Sequence, residues 1–112
     1  MPMIRIITDS EKPDINLEKA VTQISAEMGM ESSRLNLMLE AYEADTFYRG
    51  CGGRFPIIQI SARRHNGVEW IQRLMSASAK AVAGQLSLRS EDVTVITHYI
   101  EDGLLLDKGS FV

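Results

Sequence analysis

Cysteine is almost absent. Cys51 stands alone, so no disulfide can form within the chain, and the reducing cytoplasm is the expected compartment. Histidine is nearly as scarce: His65 and His98 are the two in the sequence, and no metal site is expected from them. A basic excess is missing too. Twelve lysines and arginines against 15 aspartates and glutamates leave a net charge of -3, the wrong sign for neutralising a nucleic-acid backbone. No apolar run approaches the length that crosses a bilayer, so no membrane partner is expected. The first residues lack the basic-then-apolar order of a secretory signal.

What is present reads as one folded domain over residues 1–112. The chain is 45% hydrophobic and 24% charged, an ordinary globular balance. Met3-Ile4-Arg5-Ile6-Ile7 reads as a strand opened by Pro2 and ended by the polar run from Thr8. Leu17, Val21, Ile24 and Met28 fall on one helical face, with Asp14 or Asn16 as the cap and Gly29 as the stop. Leu35, Leu37 and Leu39 alternate with polar or exposed-type neighbours, a second strand, and residues 45–54 form a glycine-marked loop.

At Pro56 the pattern begins again. Ile57-Ile58-Gln59-Ile60 is a strand, and Asn66 with Glu69 has the spacing of a capping box. A helix follows through Ile71, Leu74, Met75, Ser78, Val82 and Leu86, and Val93 to Thr97 alternates as a strand. The tail from Asp102 predicts a turn and a short final strand. Pro2 and Pro56 are 54 positions apart, while Leu35 and Val93 are 58 apart. The extra four residues of the second half must lie between its strands.

The expected fold is therefore α/β (α+β), with duplicated β-α-β units, about 2–53 and about 56–112. They form a four-stranded mixed sheet with two helices on one face. The strands carry apolar residues at both parities, so the face without helices also needs cover, and oligomerisation through it is expected. Trp70 and the six methionines read as packing residues. Cys51 reads as a loop residue, because no activating base is evident nearby.

Pro2 carries the sharpest chemical reading. Proline after the initiator methionine permits removal of Met1, which would leave a secondary amine at the chain terminus. A terminal amine titrates near about 8, against about 10.4 for lysine, and a nearby arginine or an apolar pocket lowers it further. A general base works best near the operating pH. The plainer reading is a proline that merely opens an edge strand.

The Pro-x-Ile-x-Ile start, the helix, the second strand and the segment Tyr48-Arg49-Gly50-Cys51-Gly52-Gly53 together resemble the tautomerase superfamily. The glycine-rich segment is similar to the tail of the short 4-oxalocrotonate tautomerase type, and the length resembles the macrophage migration inhibitory factor (MIF) branch. Asp107-Lys108-Gly109-Ser110-Phe111 is similar to a group of bacterial members of that superfamily. The resemblance implies a homotrimer of two-repeat subunits, no cofactor, and Pro2 as the catalytic, proton-transferring residue on a small carbonyl acid. Tautomerase chemistry leads, with hydratase or dehalogenase chemistry also within the superfamily.

The family's arginine after the first strand has no counterpart in Thr8-Asp9-Ser10, whereas Arg63-Arg64-His65 occupies the equivalent place in the second half. Asn36 stands where a second family arginine sits. Arg64, His65 and Asn36 are therefore the substrate-binding candidates. The alternative is a non-catalytic oligomeric binding module on the same fold, which holds if Met1 is retained and the Pro2 nitrogen stays an amide. A ferredoxin-like RNA-binding domain shares the order of elements but needs exposed strand aromatics that this sequence lacks.

Overall fold

Alternation of apolar residues along the first strand sets the layers. In the structure, a computed structural model, residues 2–11, 14–50 and 53–112 are described. The questions of Met1 removal and of Cys51 fall outside that range. Strand β1 runs Met3–Asp9, helix α1 Leu17–Met28, strand β2 Asn36–Tyr42, strand β3 Ile57–Arg63, helix α2 Val68–Gln85 and strand β4 Thr94–Ile100. A small hairpin, β5 (Leu106–Asp107) with β6 (Ser110–Phe111), closes the chain. Ile4, Ile6, Ile58 and Ile60 point to one side of the sheet and are wholly buried beneath Ile24, Leu74 and Val82 of the helices. No helix among the described residues is long and apolar enough to cross a membrane.

The sheet order is β2-β1-β3-β4. β1 pairs with β2 in parallel, β3 with β4 in parallel, and β1 with β3 antiparallel at the centre. This is the expected mixed sheet of two β-α-β units. The duplication extends to single hydrogen bonds. The Asn36 amide donates to the Pro2 carbonyl at 3.3 Å, and the Thr94 amide donates to the Pro56 carbonyl at 3.4 Å. A short 3-10 turn precedes each second strand, at Ser32–Arg34 and at Ser90–Asp92. Helix α2 is six residues longer than α1, 18 against 12, and connections that are shorter in total in the second half bring the net excess down to four.

The start of α1 forms as its residues require. The Asn16 side chain accepts the Lys19 amide at 3.0 Å, and Gly29 ends the helix at φ 67°, a left-handed conformation that favours glycine. Gln85 at the end of α2 binds both backbone groups of Asn16, at 2.8 and 3.0 Å, so the helices lie antiparallel. The start of α2 differs from the sequence reading. The Asn66–Glu69 capping box does not form, because Asn66 sits inside a 3-10 turn and its amide donates back to the Arg63 carbonyl at 3.1 Å. Gly67, at φ 87°, is the cap instead.

β1 and β4 both run further than their apolar residues suggest. Thr8 and Asp9 are buried strand residues rather than the start of a loop. The face without helices carries an Arg5–Glu40–Gln59 cluster at its middle. Met3, Met38 and Ile96 stand exposed around it. Of the methionines read as core, Met28 is buried, whereas Met3 and Met38 are not, because odd positions of β1 and even positions of β2 face away from the helices. Trp70 packs partly buried against the core.

Candidate active site at the Pro2 end of the sheet

Antiparallel pairing of β1 with β3 decides which residues meet. Met3 lies opposite Ser61, so the end of β3 flanks the start of β1. On the other side, β2 begins opposite Met3 with Asn36. Pro2 is thus bracketed by the first residue of β2 and the last residues of β3. Its ring is buried. Its carbonyl accepts from the Asn36 amide and from Asn36 Nδ2, both at 3.3 Å. Asn36 anchors Pro2 through the backbone.

The basic run reaches the same end but divides its partners. Arg64 Nη2 lies 2.7 Å from Glu101 Oε1, and Nε donates to that oxygen at 2.8 Å. The Arg64 guanidinium also lies over the Tyr99 ring, 4.2 Å from its centre. The hydrogen bond that Arg64 donates to Glu101 is the main cause raising the Arg64 pKa above its ordinary value. Arg64 is therefore turned toward the outer strand β4. His65 is exposed in the turn that follows β3, and no hydrogen bond among the described residues joins it to Pro2 or Asn36.

Arg63, part of the same run but not singled out by the sequence reading, is the more loosely paired cation. It ends β3 with its side chain one-quarter exposed. Its Nη2 reaches Asp102 at 3.4 Å, and its buried Nε has no hydrogen-bond partner among the described residues. A guanidinium with an unspent donor can take a carboxylate oxygen at less cost than one already paired at close range. The signal was the alternation of β3, which carries Arg63 onto the face of Gln59 once the strand is extended past Ile60.

No protein-family model matches the sequence, and no curated protein does. Solved structures do match. A native fused 4-OT superposes with a TM-score of 0.80 at 13% identity, covering 97% of this chain and 94% of that one. FG41 malonate semialdehyde decarboxylase inhibited by 3-bromopropiolate gives 0.67 at 16% identity, over 96% and 91% of the two chains. Macrophage migration inhibitory factor of Toxoplasma gondii gives 0.67 at 12% identity, over 98% and 99%. All three are tautomerase superfamily members. The fold of this chain is the tautomerase fold.

Within that tautomerase fold the two prolines are not equivalent chemically. Pro2 and Pro56 open the paired repeats and both are buried. Pro56 is held in a peptide bond on both sides and has no proton-accepting nitrogen. Pro2 stands at the end of the sheet that also carries the arginines of the second repeat.

Proposed function

We propose that this protein is a cofactor-independent isomerase of the tautomerase kind, acting on a small carbonyl acid through a Pro2 amine exposed by removal of Met1. The observation that carries this reading is the bracketing of Pro2 between Asn36 and the arginine-bearing end of β3. A terminal secondary amine titrating near about 8 is neutral in a useful fraction at physiological pH. Guanidinium groups at the same end favour the neutral amine and hold the substrate carboxylate.

The steps follow from these groups. The Pro2 nitrogen accepts a proton from the carbon next to the substrate carbonyl. The electron pair left behind moves to the carbonyl oxygen as an enolate, and the adjacent guanidinium offsets its charge. The ammonium then returns the proton to a different carbon. Arg63 supplies the carboxylate contact directly, while Arg64 supplies it when Glu101 releases it. The test is keto–enol conversion of a 2-oxo acid by the native chain and by Pro2→Ala. Loss of activity in Pro2→Ala supports the reading, and equal activity in both overturns it.

Assembly belongs to the same proposal. Solved neighbours include fused 4-OT trimers, both asymmetric and symmetric. A homotrimer covers the open sheet face, with its exposed Met3, Met38 and Ile96. A second reading rests on the Arg64–Glu101 pair, which neutralises a binding cation. It makes the chain a non-catalytic oligomeric module on the tautomerase fold.

A further inference from the structure

The opposite end of the sheet holds a second cleft, one that the Pro2 reading does not use. It measures about 380 Å³ and is lined by Asp9, Tyr42, Phe47, Tyr48, Arg49 and Arg54, among others. Asp9 and Tyr42 are cross-strand partners in the parallel β1–β2 ladder, so both side chains rise from the same face of the sheet. The loop after β2 folds over them, with the Phe47 ring 4.8 Å from that of Tyr42.

Two polar atoms in this cleft are unspent. Asp9 Oδ1 accepts the Glu11 amide at 3.0 Å, but Oδ2 accepts no hydrogen bond among the described residues. Arg54 Nε stands 3.4 Å from Oδ2, near enough for charge attraction without a hydrogen bond. The Tyr42 hydroxyl is also buried without a partner among the described residues. The Asp9 side chain is only 1% exposed. Leaving such groups unmet costs free energy that a fitting ligand recovers.

The lining charges select the ligand. Asp9 and Asp45 offset Arg49 and Arg54, so the cleft as a whole favours neither sign. A cationic ligand at Asp9 would meet Arg54. An anionic ligand would compete with commitments already made: Arg49 donates to the Phe55 carbonyl, and Arg54 is held by Glu11 at 2.7 Å. A neutral group with a donor beside an acceptor meets both needs. Its N–H donates to Asp9 Oδ2, and its oxygen accepts from the Tyr42 hydroxyl. Phe47 and Tyr48 offer aromatic walls for a planar body. Arg54 is half exposed and touches Oδ2 at 3.4 Å without a hydrogen bond, so entry of the ligand requires only that this looser contact open.

We propose that this cleft binds a small planar ligand bearing a primary carboxamide, or the equivalent donor–acceptor edge of a heterocycle. The probe is benzamide, titrated into the full-length chain and followed by backbone amide resonances. Shifts confined to Asp9, to residues 42–49 and to Arg54 are expected. Tyr42→Phe keeps the ring against Phe47 and removes one hydrogen bond, so affinity should fall about fivefold. Pro2→Ala should leave benzamide binding unchanged, which separates this proposal from the activity at the other end. Benzoate and benzylamine are the comparison probes. Absence of shifts, shifts elsewhere, equal or tighter binding of either comparison probe, or unchanged affinity in Tyr42→Phe would each overturn the proposal.

Discussion

At the scale of single residues, the candidate site turns on how each side chain is already engaged. Asn36 spends its amide on the Pro2 carbonyl, which makes it a positioning residue in the proposed reaction. Arg64 is occupied by Glu101 and Tyr99. Glu101→Gln should therefore free Arg64 and lower KM for a 2-oxo acid with little change in kcat. An unchanged or raised KM would remove Arg64 from the binding role. Arg89 and Asp92 pair away from the candidate site, across the 3-10 turn before β4. Hydrogen bonds from Arg89 hold the Asp92 carboxyl below its ordinary value. A carboxyl lowered by folding stabilises the fold above its unfolded value, and that contribution disappears as pH falls through the folded one. Asp92→Asn should flatten the acid limb of stability against pH, read by thermal unfolding between pH 2 and 5 as an order-of-magnitude window.

At the scale of elements, the repeats and helices were legible and the element ends were less so. Periodicity placed α1 and α2. The sequence narrows the cap to Asp14 or Asn16, of which Asn16 serves, and the Gly29 stop is readable, because each acts on backbone only a few residues away. Asn16→Ala should cost about 1 kcal/mol in chemical denaturation, since it removes the acceptor for the Lys19 amide. The Asn66–Glu69 box misled because its spacing matched while the chain around it had already turned into a 3-10 segment. The extension of β1 through Thr8 and Asp9 was hidden for another reason. Their burial depends on Ala41 and Tyr42 of β2 lying alongside, a non-local fact. Within the basic run, Arg64 rather than Arg63 was favoured on the same ground, as the burial of Arg63 depends on Ile100 at the end of β4. The central isoleucines are the structural spine of both repeats. Ile60→Ala should cost about 2–5 kcal/mol by opening a cavity beneath α1 and α2, read as a lower denaturation midpoint.

At the scale of the whole molecule, the pseudo-symmetry of the halves makes their differences informative. Both repeats share the proline, the backbone bond from the second strand and the 3-10 turn. The arginines end the first strand of the second repeat only, where the first repeat has Asp9 and Ser10. The candidate catalytic groups therefore gather at one sheet end, with the base from one repeat and the cations from the other. The open sheet face belongs to the same scale. It presents methionine and isoleucine around an Arg5–Glu40–Gln59 centre, and sedimentation at micromolar concentration should report a trimer. A monomer there would contradict the proposed assembly. The central claim concerns a single nitrogen. Intact-mass measurement of the untagged protein should find a chain lighter by one methionine, beginning at Pro2 with a free amine. A mass that includes Met1 would leave that nitrogen an amide and would contradict Pro2 as the base.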